Sequence, residues 1–359
     1  VCSVSTLCCA FAFSKMITNT GIDKKGGSQM RRSLVMRFLS GCTESELIVF
    51  TDMAFRVFID YINLDIESLS QKMNESYKTL TTLAPKRLLG CLNLVDNMRE
   101  QFVKPGESQL LSKLLRVVFC IGSFIKSVLE GEDKLKPGYS SILKNIRSNC
   151  IVCIGNFFKQ LDQWTWSETE IISVFEIFVW PIIDKLPVEG IHSPTALLKL
   201  FNVWSIQPRY HIFFHICKND ETILPYLLDL LSSGKLNFSV NEMCLLIIER
   251  LLTLEYTEEN VIQISQNSLA HIDTETISKL DLKENLNIGS QILVSQISKL
   301  VPILKHKFSN MNPRKLQKRD ITILSRITEI VNDPQSVDTL LQFSLPILLQ
   351  RIRSSDQEE

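Results

Sequence analysis

A chain of 359 residues, 45% hydrophobic and 22% charged, is long enough for two or three globular domains or for one continuous array. Its 39 basic and 39 acidic side chains cancel, which argues against a general nucleic-acid coat or a polybasic membrane binder. With only 13 glycines and 12 prolines, and no Asn-Gly or Asp-Gly pair, turn chemistry counts against a β-sandwich or barrel, so an all-α fold is predicted.

The chain opens on VCSVSTLCCAFAF, which has no basic region before its apolar run and is a poor signal peptide. That run is too short to span a bilayer. Residues 1–13 are set apart as an N-terminal fragment end, and residues 14–359 read as a segment of one helical array. Residues 18–29 (TNTGIDKKGGSQ) are the clearest loop, and Arg31 to Leu39 form a short basic amphipathic helix. Thr43 and Glu46 have the spacing of a capping box, in which each side chain satisfies the other's free helix-start amide, and a very apolar helix follows. Further helices are predicted near 67–80, 85–103, 108–130 and 139–161.

Ser167 and Glu170 make a second capping box, opening a helix over 168–186 that Pro181 is expected to bend. Ser193 is read as the N-cap of the next helix, 194–205, with Pro194 at its first position. Helices near 208–218, 221–232, 239–254, 258–271, 286–307, 315–331 and 335–352 complete the chain, and 353–359 is expected to be a disordered acidic end. A third capping box is read at Ser239 and Glu242.

Four prolines stand before paired aliphatic residues, at 181, 225, 302 and 346, with spacings of 44, 77 and 44. The middle spacing is close to two units, so the implied period is roughly 40 residues, in the range of HEAT repeats. The predicted architecture is therefore a HEAT/armadillo-like α-solenoid of about 14–16 helices in antiparallel pairs.

Ten cysteines in a chain of this length do not make a disulfide framework, and most lie in apolar helical runs, which points to a reducing compartment. Cys150 and Cys153 have the spacing of half a zinc site, but no second pair follows and aliphatic residues separate them, so they are read as core. His211 and His215 fall at i and i+4, on one face of an α-helix. A metalloprotease needs glutamate after the first histidine, and Ile212 stands there instead. No phosphate-binding glycine loop or nucleophile elbow occurs. No catalytic residue, cofactor, metal or small-molecule substrate is expected.

Residues 299–319 carry seven Lys or Arg and no acid. The stretch 255–284 before them has seven acids against two lysines. The basic stretch either pairs internally or holds phosphates. Lys305, Lys307, Arg314, Lys315, Lys318 and Arg319 are the candidate phosphate contacts. Phe308 is the one aromatic residue there, so any RNA contact is expected to position the backbone and not to read bases.

Four blocks of wording carry a family resemblance. They are SKMITNTGIDKKGGSQM (14–30), RRSLVMRFLSGCTESELIVFTDMAF (31–55), VWPIIDKLPVEGIHSPTALLKLFNVWSIQPRY (179–210) and RDITILSRITEIVNDPQSVDTLLQFSLPILLQR (319–351). Together they resemble the central region of the large U3 small nucleolar RNA-associated HEAT-repeat scaffold family of the small-subunit processome, also called the down-regulated-in-metastasis family. The pattern stands here as Trp180, Pro181, Ser193, Pro194, Thr195, Trp204, Arg209 and Tyr210, which the resemblance implies are packing and capping residues. It further implies a nucleolar, non-catalytic scaffold in the maturation of 18S ribosomal RNA and the small subunit. Its implied partners are processome proteins, U3 RNA and precursor RNA, and no membrane. A HEAT-repeat transport adaptor that binds proteins alone is the alternative.

Overall fold

A computed structural model describes residues 36–37, 39–58, 68, 71–72, 85–102, 108–130, 137–160, 166–218, 221–254, 287–309 and 311–355. The fold is all-α, with the described residues almost entirely helical. Expectations for residues 1–13, the 18–29 loop, and the helices near 67–80 and 258–271 lie wholly or mostly outside the described residues. The chain divides into two compact units, Val1–Pro181 and Ile182–Glu359.

The first unit is built from α1 (Glu44–Ala54), α2 (Pro85–Phe102), α3 (Ser108–Glu130), α4 (Pro137–Gln160) and α5 (Glu168–Val174), the last running on into a π-helical turn, Phe175–Val179. The two capping boxes predicted here are formed. The Thr43 amide donates to Glu46 at 2.9 Å and the Ser167 amide donates to Glu170 at 2.9 Å, while each cap hydroxyl accepts the glutamate's own amide. Helix α1 packs on α3, and α3 packs on the π turn; α2 packs on α4. These are two rows of helices, each row stacked side by side.

A helix inside a row must be apolar on two faces, and α3 is: Leu110, Leu114, Val117 and Ile121 are buried on one face, and Leu111, Leu115 and Phe119 on another. Each large side chain so buried stabilises by about 1.5–3 kcal/mol before entropy is counted. Gly122 is required by the approach of the π turn, because a Cβ there would lie 2.3 Å from the Phe178 ring. Polar ties join the same pairs. Glu44 of α1 accepts the Leu110 amide at 3.2 Å in the first turn of α3, and Lys113 pairs with Asp52. Asp96 of α2 accepts from Arg99 at 2.8 Å and from Asn156 of α4 at 3.2 Å.

The second unit holds α6 (Leu186–Glu189), α7 (Ala196–Ile206), a 3₁₀ segment (Pro208–His215), α8 (Ile223–Ser232), α9 (Phe238–Thr253), α10 (Ile288–Val294), α11 (Ile297–Ser309), α12 (Lys318–Ile330) and α13 (Pro334–Ser355). The expected helix over 208–218 is instead that 3₁₀ segment, followed by β1 (Cys217–Lys218), antiparallel to β2 (Glu221–Thr222). Pro208, which has no N–H to donate, stands at the start of this 3₁₀ segment. The expected 286–307 helix is broken at Ser295 and Gln296 into α10 and α11. The end expected to be disordered from 353 is helical through Ser355.

Two rows recur in this unit. Helices α6, α8, α11 and α13 stack in one, and α7, α9 and α12 in the other. Pro225, Pro302 and Pro346 lie in α8, α11 and α13, so the proline spacing marks successive helices of a single row. Only Pro302 and Pro346 are interior to their helices. Pro181 does not bend a continuing helix: it follows Trp180 in the turn where the π-helical segment stops. A missing N–H at that position ends the ladder.

Two capping assignments change. Thr195, not Ser193, caps α7, its hydroxyl accepting the Leu198 amide at 3.2 Å. Asn237, not Ser239, caps α9, accepting the Ser239 amide and hydroxyl at 2.9 Å each. In both places the cap lies two residues from the Ser expected, because several short polar side chains compete for the same amides. At the far end of α9, Asn287 donates to the Leu252 carbonyl at 3.1 Å and caps α10 through the Ser290 amide at 2.7 Å. Gly289 is needed for that approach, since a Cβ would meet the Leu251 carbonyl oxygen at 2.2 Å. Helix α13 is apolar on two sides: Leu340, Phe343 and Ile347 are buried, while Leu341, Leu345, Leu349 and Ile352 are exposed at steps of four, four and three.

Candidate nucleic-acid interface

The basic stretch of the second unit spans α11, a turn and the start of α12. The turn is built by Asn312 and Pro313. Asn312 accepts the Arg314 amide on its side chain at 3.0 Å and the Lys315 amide on its carbonyl at 2.8 Å, winding Pro313–Lys315 into a 3₁₀ turn. Asx side chains favour such turns because they mimic a backbone carbonyl. Asp320, buried at the start of α12, accepts the Gln317 amide at 3.0 Å. That carboxylate serves the helix start, so an incoming phosphate would meet side chains there.

The seven cations of this stretch divide by burial. Lys299 pairs with Asp229 of α8 at 2.6 Å and reaches the Pro225 carbonyl at 3.4 Å. Arg319 grips Glu242 of α9 with two hydrogen bonds of 2.8 and 3.0 Å, and reaches Asp320 at 3.2 Å. Burial works against the Arg319 charge, yet its bonds to Glu242 and Asp320 hold its pKa above the ordinary arginine value. Lys307 is half-buried, and loss of hydration lowers its pKa. Lys305, Arg314, Lys315 and Lys318 are exposed and make no ion pair among the described residues.

The interface read from sequence therefore loses Arg319, which braces α12 against α9, and Lys307 turns half inward. Internal pairing does occur, but with Asp229, Glu242 and Asp320; the acidic stretch 255–284 lies outside the described residues. Sequence reasoning missed Glu242 as a partner because Ser239 three residues earlier offered it a capping role. It also passed over Asn312, whose position directly before Pro313 was the available signal.

Of the residues of the family wording, Thr195 caps α7 and Trp204 and Tyr210 are buried. Trp180 lies half-buried against Phe175, ring centroids 5.4 Å apart, and Pro181 is half-exposed in the turn. Ser193 is exposed, and Pro194 half-buried. Trp204 is fully buried among Phe201, Phe213 and Phe214, with centroids 5.6, 5.1 and 6.5 Å away. Arg209 lies over the Tyr210 ring at 4.6 Å and donates to Gln207 at 2.8 Å, while buried Tyr210 stacks on Phe213.

His211 and His215 do not share a face. On a 3₁₀ segment of three residues per turn, four steps rotate the second side chain by about a third of a turn. His211 is buried and hydrogen-bonds the Ser205 carbonyl at 3.1 Å. Burial pushes its imidazole down to about 4 from the ordinary 6.5, against the opposing effect of that bond. The unfolded chain binds a proton between those values and the folded chain does not. Stability of this unit is therefore full above about pH 6.5 and falls as pH drops toward about 4. Urea midpoints at about pH 7 and pH 5 test this, and replacing His211 by glutamine is expected to remove the difference.

Cys150 and Cys153 are buried, and burial raises both thiols, Cys153 to about 12, the behaviour of core cysteines. Among the described residues no group of His, Cys, Asp and Glu is arranged to hold a metal, and no helix is long and apolar enough to cross a membrane.

Comparison with known proteins matches residues 11–359 to the family model described as "U3 small nucleolar RNA-associated protein 20, N-terminal". The motif wording pointed to a central region; the matching description is of an N-terminal one. A curated relative from Saccharomyces cerevisiae (strain ATCC 204508 / S288c), named "U3 small nucleolar RNA-associated protein 20", is 24% identical over 165 residues. That alignment covers 44% of this chain and 6% of the yeast protein.

Proposed function

This chain belongs to the family of U3 small nucleolar RNA-associated protein 20, N-terminal, and from that premise we propose that it is a non-catalytic scaffold segment of the small-subunit processome. In this reading it works in the nucleolus, in the U3-associated particle that processes precursor RNA to 18S ribosomal RNA and assembles the small subunit. Its contribution is surface. Stacked helices hold side chains at set positions along their rows, and neither catalysis nor a cofactor is required.

The observation that carries the RNA side is the exposed set of Lys305 on α11, Arg314 and Lys315 in the 3₁₀ turn and Lys318 at the start of α12, none in an ion pair among the described residues, in a chain whose net charge is zero. In a neutral protein such a set is a local phosphate-binding feature, and each phosphate it neutralises releases counterions. The protein side is supported by α13, whose exposed Leu341, Leu345, Leu349 and Ile352 have the spacing by which one helix packs on another.

Purifying the full-length protein under mild salt is expected to bring U3 RNA and the 18S precursor with it. Enrichment of transport cargo with no pre-ribosomal RNA would instead select the adaptor reading, in which HEAT-type surfaces bind proteins only.

A further inference from the structure

Beside the basic turn, within the second unit, the α8–α9 loop and α11 enclose a cleft of about 380 Å³. One wall is Leu231 and the loop Ser232–Gly234 with Leu236; the other is Pro302, Ile303, His306 and Lys307; Asn241 stands at the inner end. The volume is in the range of small-ligand sites. None of the lining residues is acidic.

Two groups in this cleft are set for a ligand. The side-chain oxygen of Asn241 is buried without a hydrogen-bond partner, and a buried acceptor left open is unfavourable unless something donates to it. Lys307 is half-buried and makes no direct ion pair among the described residues, and loss of hydration outweighs the attraction of the more distant Asp320 and Glu242 carboxylates, so its ammonium is left short of a contacting anion. Leu231, Leu236, Pro302 and Ile303 add an apolar seat between them.

We propose that the cleft takes one unpaired nucleotide of a single-stranded RNA, with Asn241 bonding the base edge, the apolar seat covering the base face, and Lys307 and His306 meeting its phosphate. An amino-bearing base such as adenine supplies the N–H that the Asn241 oxygen lacks, and a carboxamide pairs with adenine through two bonds. Unpaired bases are the part of RNA that proteins read, because only splayed bases expose their edges and faces. Lys305, on the outer side of the same helix, and Arg314, Lys315 and Lys318 in the next turn would carry the strand's neighbouring phosphates. An acidic peptide would match Lys307 but gives no reason for the cations to continue round the turn. The inference rests on the RNA contact proposed above, and it adds base recognition where the sequence offered only backbone positioning.

The test is binding of the full chain to an oligoadenylate strand and to a fully paired RNA duplex over a salt series. Two variants close the cleft by independent means. Asn241→Leu removes the amide, and Gly234→Phe fills the space, since nothing lies within 4 Å of a Cβ at Gly234. Each is expected to weaken oligoadenylate binding about ten-fold and leave duplex binding unchanged, with the salt slope falling by no more than the single phosphate contact of Lys307, about 0.7. Wild-type affinity in both variants, with the salt slope intact, would overturn the cleft and leave the backbone contact standing. Salt-independent or absent RNA binding by the unaltered chain would remove the backbone contact and the cleft together. Competition for the cleft by an acidic peptide but not by oligoadenylate would reassign it to a protein ligand.

Discussion

Replacing Lys305, Arg314, Lys315 and Lys318 together by alanine is expected to reduce the slope of log affinity for single-stranded RNA against log salt by nearly 3. Each phosphate contact contributes about 0.7 to that slope for a single strand, and each of the four cations supplies one contact. The same variant should keep its helix content and its urea midpoint, because all four side chains are exposed and hold nothing in place. Fluorescence anisotropy across a salt series, with circular dichroism as the folding check, measures both halves; an unchanged slope would remove this turn from RNA binding.

Arg319→Ala is the instructive contrast. The sequence places Arg319 in the same cluster, but its side chain is 12% exposed and its Glu242 partner 26% exposed. Removing it strands two carboxylates, which is expected to lower stability by about 1–3 kcal/mol, short of the 3–5 kcal/mol of a fully buried pair. The salt slope should barely move. A variant that mixed Arg319 with the exposed cations would confuse unfolding with lost binding.

Trp204→Ala is expected to cost about 3–5 kcal/mol, the largest stability loss foreseen for a single change in the chain. The indole is fully buried, with three phenylalanine rings around it on α7 and the 3₁₀ segment. The three rings are themselves fully buried, and Tyr210 stacks on Phe213, so they have little room to close on the space left. Ser205 donates to the Asn202 carbonyl at 2.8 Å and its hydroxyl lies 3.3 Å from Arg250 of α9. A urea titration followed by far-ultraviolet circular dichroism reads the loss; a change below about 1 kcal/mol would mean that the site collapses around the cavity.

Much of this was legible from local chemistry. Thr43–Glu46 and Ser167–Glu170 form capping boxes where the spacing placed them, because each involves only neighbours along the chain. The helices at 85–102, 108–130 and 137–160 follow apolar runs punctuated by proline and glycine. Ser239–Glu242 has the same spacing and does not form a box. Asn237 took the cap, and an arginine 77 residues later took the glutamate. His211 and His215 share a face only if the segment is an α-helix, and three-residue winding parts them.

What the sequence determined by itself was the all-α class, most helix spans, two capping boxes, the core character of Cys150 and Cys153 and the proline spacing. These depend on period, on caps and on residues within a few positions of one another, which short-range sterics and hydrogen bonding decide. Tertiary structure alone decided that Pro225, Pro302 and Pro346 mark one row and that Gly122 and Gly289 are points of close approach. It alone decided, too, which of the seven cations face water, and that Lys307 turns toward a cleft with Asn241. Those outcomes depend on which helix lies beside which, and a charge keeps or loses its water according to neighbours that the local sequence does not contain.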